Sequence, residues 1–79
     1  MTVTLSSPLG VEDIDVPTMG GTRTVVTSRV LSLLNNGAEY VDVSTVDVNN
    51  TVHTDRRVPD VISDNGSVWV STVVESWTS

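Results

Sequence analysis

The side chains able to do chemistry are few and scattered. A single histidine, His53, has Asp55 two residues on. In a strand the two share a face, and a carboxylate can orient an imidazole. Ten serines are available, but none sits in a Gly-x-Ser-x-Gly elbow that would expose it as a nucleophile. The expectation is a partly exposed strand histidine and no enzyme.

Two acidic groups have the residue types of a cation site: Glu12, Asp13 and Asp15, and Asp60 with Asp64 before Asn65-Gly66. The second fails the calcium-loop spacing. The twelfth position counted from Asp60 is Ser71, and counted from Asp64 the third is Gly66. Hairpin-turn chemistry accounts for Asp64-Asn65-Gly66 without a metal, so no metal and no cofactor is expected. Arg56-Arg57 is the only basic pair, too little for a phosphate track. Gly20-Gly21 lacks the lysine of a phosphate-binding loop.

The elements that would position these groups follow from composition. The chain has 79 residues and a net charge of −6, from ten acids against four arginines. It contains no cysteine, lysine, phenylalanine or glutamine. Disulfide scaffolds, zinc ribbons and thiol catalysis are therefore excluded. No apolar run approaches the ~20 residues of a membrane helix, and no charged start leads into an apolar stretch as a signal peptide requires. The expected location is a virion or the cytoplasm. The acid-rich, lysine-free balance resembles the proteomes of salt-loving archaea and their viruses; an ordinary acidic domain is the alternative.

Valine, threonine and serine supply 38 of the 79 residues. Branching at Cβ favours a pleated surface, so the predicted fold is mainly β, with a small antiparallel meander over residues 39–77. Residues 2–6 and 11–16 read as short strands around a Pro8–Gly10 turn. Residues 1–21 could alternatively form an extended or loop-rich arm, with Pro17 and Gly20-Gly21 bounding a loop. Over 23–34, Val26, Val30, Leu33 and Leu34 share one side of a helical wheel. A helix there would pack on the sheet, giving an α+β layout, although six of the thirteen residues over 22–34 are β-branched and a strand remains open.

Val41 and Val43 differ in parity from Val46 and Val48, which suggests a bulge at Ser44-Thr45 or two short strands. Asn49-Asn50 suits a two-residue hairpin turn. That register sets Val46 opposite His53 and Asp42 opposite Arg57, a possible ion pair. Asn65-Gly66 is a second such turn, pairing Ile62 with Trp69 and Val61 with Val70. Pro59 ends the preceding strand or marks a sheet edge. The last strand, about 67–77, is apolar on both faces and should sit centrally or pack against another chain.

Small domains without disulfides or metals often gain stability by oligomerising. The expectation is thus a single small domain working as a structural or interaction protein. It would be a subunit of a larger assembly, such as a viral decoration, minor capsid or tail-connector component. Its partners would be protein subunits, in a homo-oligomer or larger assembly, with no nucleic acid, membrane or small-molecule substrate. Trp69, Val73, Val74 and Trp77 are the candidate interface, with one tryptophan expected in the domain's own core. An acidic inhibitor that imitates nucleic acid and binds a basic DNA-handling protein is the alternative.

Overall fold

A computed structural model describes residues 2–15 and 19–79, with the side chains of 19–24 outside the description. The elements are β1 (Thr2–Ser7), β2 (Gly10–Asp15), α1 (Met19–Asn35), β3 (Val41–Val46), β4 (Val52–Ile62) and β5 (Val68–Thr78). The strands form one antiparallel sheet in the order β2-β1-β3-β4-β5. The chain is thus mainly β with one helix on the sheet, and β3 to β5 form the meander expected over 39–77.

Both N-terminal segments are strands. Gly10, at φ 140°, closes the β1–β2 turn in a conformation suited to glycine. An N-terminal arm does not describe this hairpin: Val3 and Leu5, two apart and so on one face, are fully buried. β1 lies between β2 and β3 because the helix carries the chain across it before β3 begins.

The helix spans Gly20 and Gly21, where a loop was expected; Val16 and Pro17 lie outside the described residues. It forms despite its β-branched residues because packing of one apolar face outweighs weak propensity. Val30 and Leu34 are buried against Val3, Leu5, Val41 and Val68. Ala38 N–H donates to Leu33 O at 3.1 Å and Gly37 N–H to Leu34 O at 3.3 Å. With Gly37 at φ 104°, this is a Schellman termination.

Both distal hairpins close through three-residue loops rather than the expected two. Val46 pairs with Val52 and Ile62 with Val68. A two-residue type I′ turn needs positive φ at both central positions. Here only Asn50 and Gly66, the last loop residues, adopt it, at 65° and 88°. Asp47 holds the first loop by accepting from Asn49 N–H (2.8 Å) and Thr51 N–H (3.0 Å).

The register therefore moves by one. Thr45, not Val46, faces His53, and Asp42 faces Arg56, not Arg57. Val61 still pairs with Val70, because a shift between Val61 and Ile62 absorbs the difference. β3 runs without the bulge expected at Ser44-Thr45; Val46 simply points to the uncovered face. The irregularities fall in β4 and β5 instead, between Arg56 and Arg57 and between Pro59 and Ile62. Pro59 does not end β4. It lies past the last β3 partner, Arg57, where β4 has become an edge and a missing N–H costs no ladder bond.

β5 is an edge strand, not a central one. Beyond Arg57 β4 pairs with β5 alone, so the two strands extend past β3 as a two-stranded ribbon ending in the Asp64–Gly66 loop, with Val68 packed into the core. Among the described residues no helix is long and apolar enough to cross a membrane.

Candidate interaction surface

Neither tryptophan joins the core. Trp69 is 66 % exposed and Trp77 38 %. Of β5's apolar residues only Val68 is buried; Val70, Val73 and Val74 are exposed. Trp69 and Trp77 stand eight residues apart, about 26 Å along a strand, so they belong to separate patches. Trp69, Val61, Ile62 and Val70 are exposed on the part of the hairpin that runs past β3. Trp77 lies with Val73 and Val74 nearer the sheet body. Sequence reasoning missed Val61 and Ile62, although pairing them with the Trp69 segment was the available signal.

Trp77 is also engaged within its own chain. The Arg56 guanidinium stacks 4.1 Å from the Tyr40 ring centre and 5.5 Å from that of Trp77. Arg56 Nε and Nη2 donate to the two Asp42 carboxylate oxygens at 2.8 and 3.1 Å. Bonding to Asp42 holds the guanidinium pKa above its ordinary value. This clamp ties β3, β4 and β5 together on the face that the helix leaves open. Beside it the Ser44 and Thr54 hydroxyls bond at 2.9 Å, and Thr54 is the one buried polar residue among those described.

The expected Asp42–Arg57 pair does not form. Arg57 points to the helix side and donates from Nε to Ser71 Oγ at 2.9 Å and from Nη2 to Ser71 O at 3.3 Å. His53 and Asp55 share a strand parity but do not bond. His53 Nε2 lies 2.9 Å from Asp47 Oδ2, while Asp55 accepts from Ser76 Oγ at 2.7 Å. The bond to His53, then the Thr51 and Asn49 N–H groups, hold the Asp47 carboxyl below its usual range. The acidic groups also stay apart: Asp13 accepts from Thr4 Oγ1 at 2.8 Å and Glu12 pairs with Arg29 at 3.4 Å. Among the described residues no three His, Asp or Glu side chains converge on a point that could hold a metal ion.

Between the N-terminal half of α1 and the sheet lies a half-open cleft of about 230 Å³. Val3, Val26, Val30 and Val43 form its walls, with Thr27, Thr45, Asp55 and Arg57 at the polar side. Val3 and Val30 are themselves fully buried core residues, so the cleft is a shallow recess at the margin of the core.

Comparison of the chain with protein-family models, characterised proteins and solved structures finds no match.

Proposed function

We propose that this chain is a non-enzymatic structural or interaction protein, a small subunit of a larger assembly. A viral decoration, minor capsid or tail-connector component is the kind of role intended. One observation carries the reading: Val61, Ile62, Trp69, Val70, Val73 and Val74 are all 40 % or more exposed on one edge hairpin. Several large apolar side chains exposed on one hairpin support an association site, and tryptophan is enriched among residues that dominate such sites. Burial of these side chains against neighbouring chains is the mechanism. The acidic-inhibitor alternative draws less support, since Asp13, Asp42, Asp47 and Asp55 are each bonded within the chain.

Sedimentation of the purified chain, with cross-linking in its native source, tests the reading. Recovery of oligomers or of a partner cross-linked through β4 or β5 supports it. A monomer at all concentrations with no partner recovered overturns it.

A further inference from the structure

We propose that β5 pairs edge to edge with β5 of a second copy, antiparallel about a two-fold axis between Val73 and Val74, so that two sheets become one. The proposal rests on the assembly reading above and names its partner and geometry.

The hydrogen-bond pattern fixes which backbone groups of β5 are spare. Val52 and Ser79 exchange both N–H···O bonds, at 3.1 and 2.9 Å. In an antiparallel pair such positions alternate with ones whose N–H and C=O point away. Thr54, Arg56 and Val58 of β4 therefore bond Trp77, Glu75 and Thr72 of β5. Pro59, which has no N–H, falls at one of the unbonded positions. Ser71, Val73, Ser76 and Thr78 turn their N–H and C=O outward.

Both ends of the free edge are set. Ser63 N–H donates to Ser67 O at 2.8 Å, so Ser67 faces β4 and Val68 faces outward. Asn35 takes both groups of Val68, at 2.6 and 3.2 Å. The edge left open runs from Trp69 to Thr78, and its midpoint lies between Val73 and Val74. Among the described residues the one other bond to its outward groups is Arg57 Nη2 to Ser71 O, at 3.3 Å. A carbonyl oxygen has a second lone pair to offer.

Symmetry names the occupant. β5 has one extra residue, Val74, between Glu75 opposite Arg56 and Val73 opposite Arg57. A regular foreign strand loses register there. A second β5 turned about the midpoint keeps it, because it carries the same extra residue at the same place. Ser71 then meets Ser76 of the second copy, both with outward groups, and the pair occurs twice. Ser71 bonds Arg57 on the helix side, so its neighbour Val70 lies on the open face with Trp77. Val70 meets Trp77 of the second copy, an aromatic–β-branched cross-strand pair.

Charge selects this edge. The opposite edge, β2, has Glu12, Asp13 and Asp15 in six residues, whereas β5 has Glu75 alone in eleven. Charged side chains blunt an edge against pairing. Joining at β5 sets the two acidic β2 edges nine strand spacings apart, about 43 Å. Each Glu75 meets Thr72 of the second copy, and the two glutamates stand about 10 Å apart along the strands.

Val74, 58 % exposed and beside the axis, provides the test. Val74→Glu and Val74→Lys each set like charges together across it, and circular dichroism establishes that both are folded. In sedimentation velocity the wild type passes from monomer to dimer as its concentration rises to ~1 mM. Each variant alone dimerises about 10-fold more weakly or worse, and an equal mixture of the two recovers dimers. Hydrogen exchange locates the joint. The Ser71 and Ser76 amides gain protection as the wild type dimerises, while those of Thr72, Glu75 and Trp77 are already protected in the monomer.

Dimers in which the Ser71 and Ser76 amides stay unprotected overturn the edge joint and leave the assembly reading standing. Wild-type-like dimerisation by either Val74 variant alone does the same, as does a monomer whose partner from source is a different chain. A wild type that is monomeric throughout, with no partner recovered from source, overturns both.

Discussion

Asn35 joins the helix to the hairpin that carries Trp69, and its removal should be costly out of proportion to its exposure. Its amide copies a backbone pairing: Oδ1 accepts from Val68 N–H at 2.6 Å and Nδ2 donates to Val68 O at 3.2 Å. Asn35→Ala deletes both bonds and leaves Val68 N–H and C=O without partners beside a buried side chain. Each bond contributes about 1 kcal/mol net, and stranding a buried partner raises the cost. Water reaches this site in part, so we expect a total of about 2 kcal/mol. For a domain this small that lowers Tm by roughly 8–16 °C. Asn35→Asp, nearly isosteric, should be no better. It keeps the acceptor, loses the donor, turns a carboxylate oxygen toward Val68 O and adds negative charge at the helix C-terminus, a further ~0.3–1 kcal/mol. Asn36→Ala, whose side chain makes no described bond, should stay within about 0.5 kcal/mol of wild type. Urea unfolding gives the energies, and hydrogen exchange at the Val68 amide locates the change. An Asn35→Ala protein as stable as Asn36→Ala, with Val68 still protected, would refute the docking role.

Three further outcomes follow from the same contacts. Leu5→Ala, fully buried in β1, should cost about 3 kcal/mol in denaturant unfolding, which an extended N-terminal arm would not. In double-mutant cycles Asp42 should couple to Arg56 and not to Arg57; coupling to Arg57 would restore the two-residue loop. Asp47 is held below the ordinary 3.8 in the folded chain, so the unfolded chain binds its proton more tightly. Its contribution is therefore present above about pH 4 and lost as pH falls through the lower folded value. Asp47→Asn should flatten that part of the acid-unfolding curve.

Local patterning made most elements legible. Period-two alternation marked β1 to β3, the two asparagine turns implied β4 between them, and the apolar stripe Val26, Val30, Leu33 and Leu34 marked the helix. What it could not supply was anything decided by a single residue of loop. Asn49-Asn50 and Asn65-Gly66 both look like two-residue turns, yet the hydrogen bonds of Asp47 and Ser63 enclose three residues. A slip of one reassigns every cross-strand partner, so Asp42 was matched with Arg57 and the Arg56 clamp with Tyr40 and Trp77 went unseen. The edge position of β5 was hidden for another reason. A two-sided apolar strand reads as central, yet here β5 lies at the sheet edge with most of its apolar side chains exposed. Composition thus singled out the exposed apolar residues of β5, while their edge position depends on long-range pairing that no local pattern encodes.

Salt should act on stability and assembly in the same direction. Ten acids face four arginines in a molecule 43 Å long and only 19 Å across its shortest axis. At 0.01 M salt the screening length is about 30 Å, longer than that short axis, so most like charges act on one another and on a neighbouring copy. At 1 M it is about 3 Å, and little beyond the bonded pairs survives. Salt also weakens attraction, but the exposed pair Arg29–Glu12, at 3.4 Å, has little to lose. Repulsion therefore outweighs attraction in what salt removes. Raising NaCl from 0.01 to 1 M should lift Tm by about 4 °C or more, equivalent to ~1 kcal/mol, and should promote growth of the wild type in sedimentation. Apolar burial is not screened, so assembly that dissolves in salt would mean that charge, rather than the exposed apolar side chains of the β4–β5 hairpin, holds the subunits together.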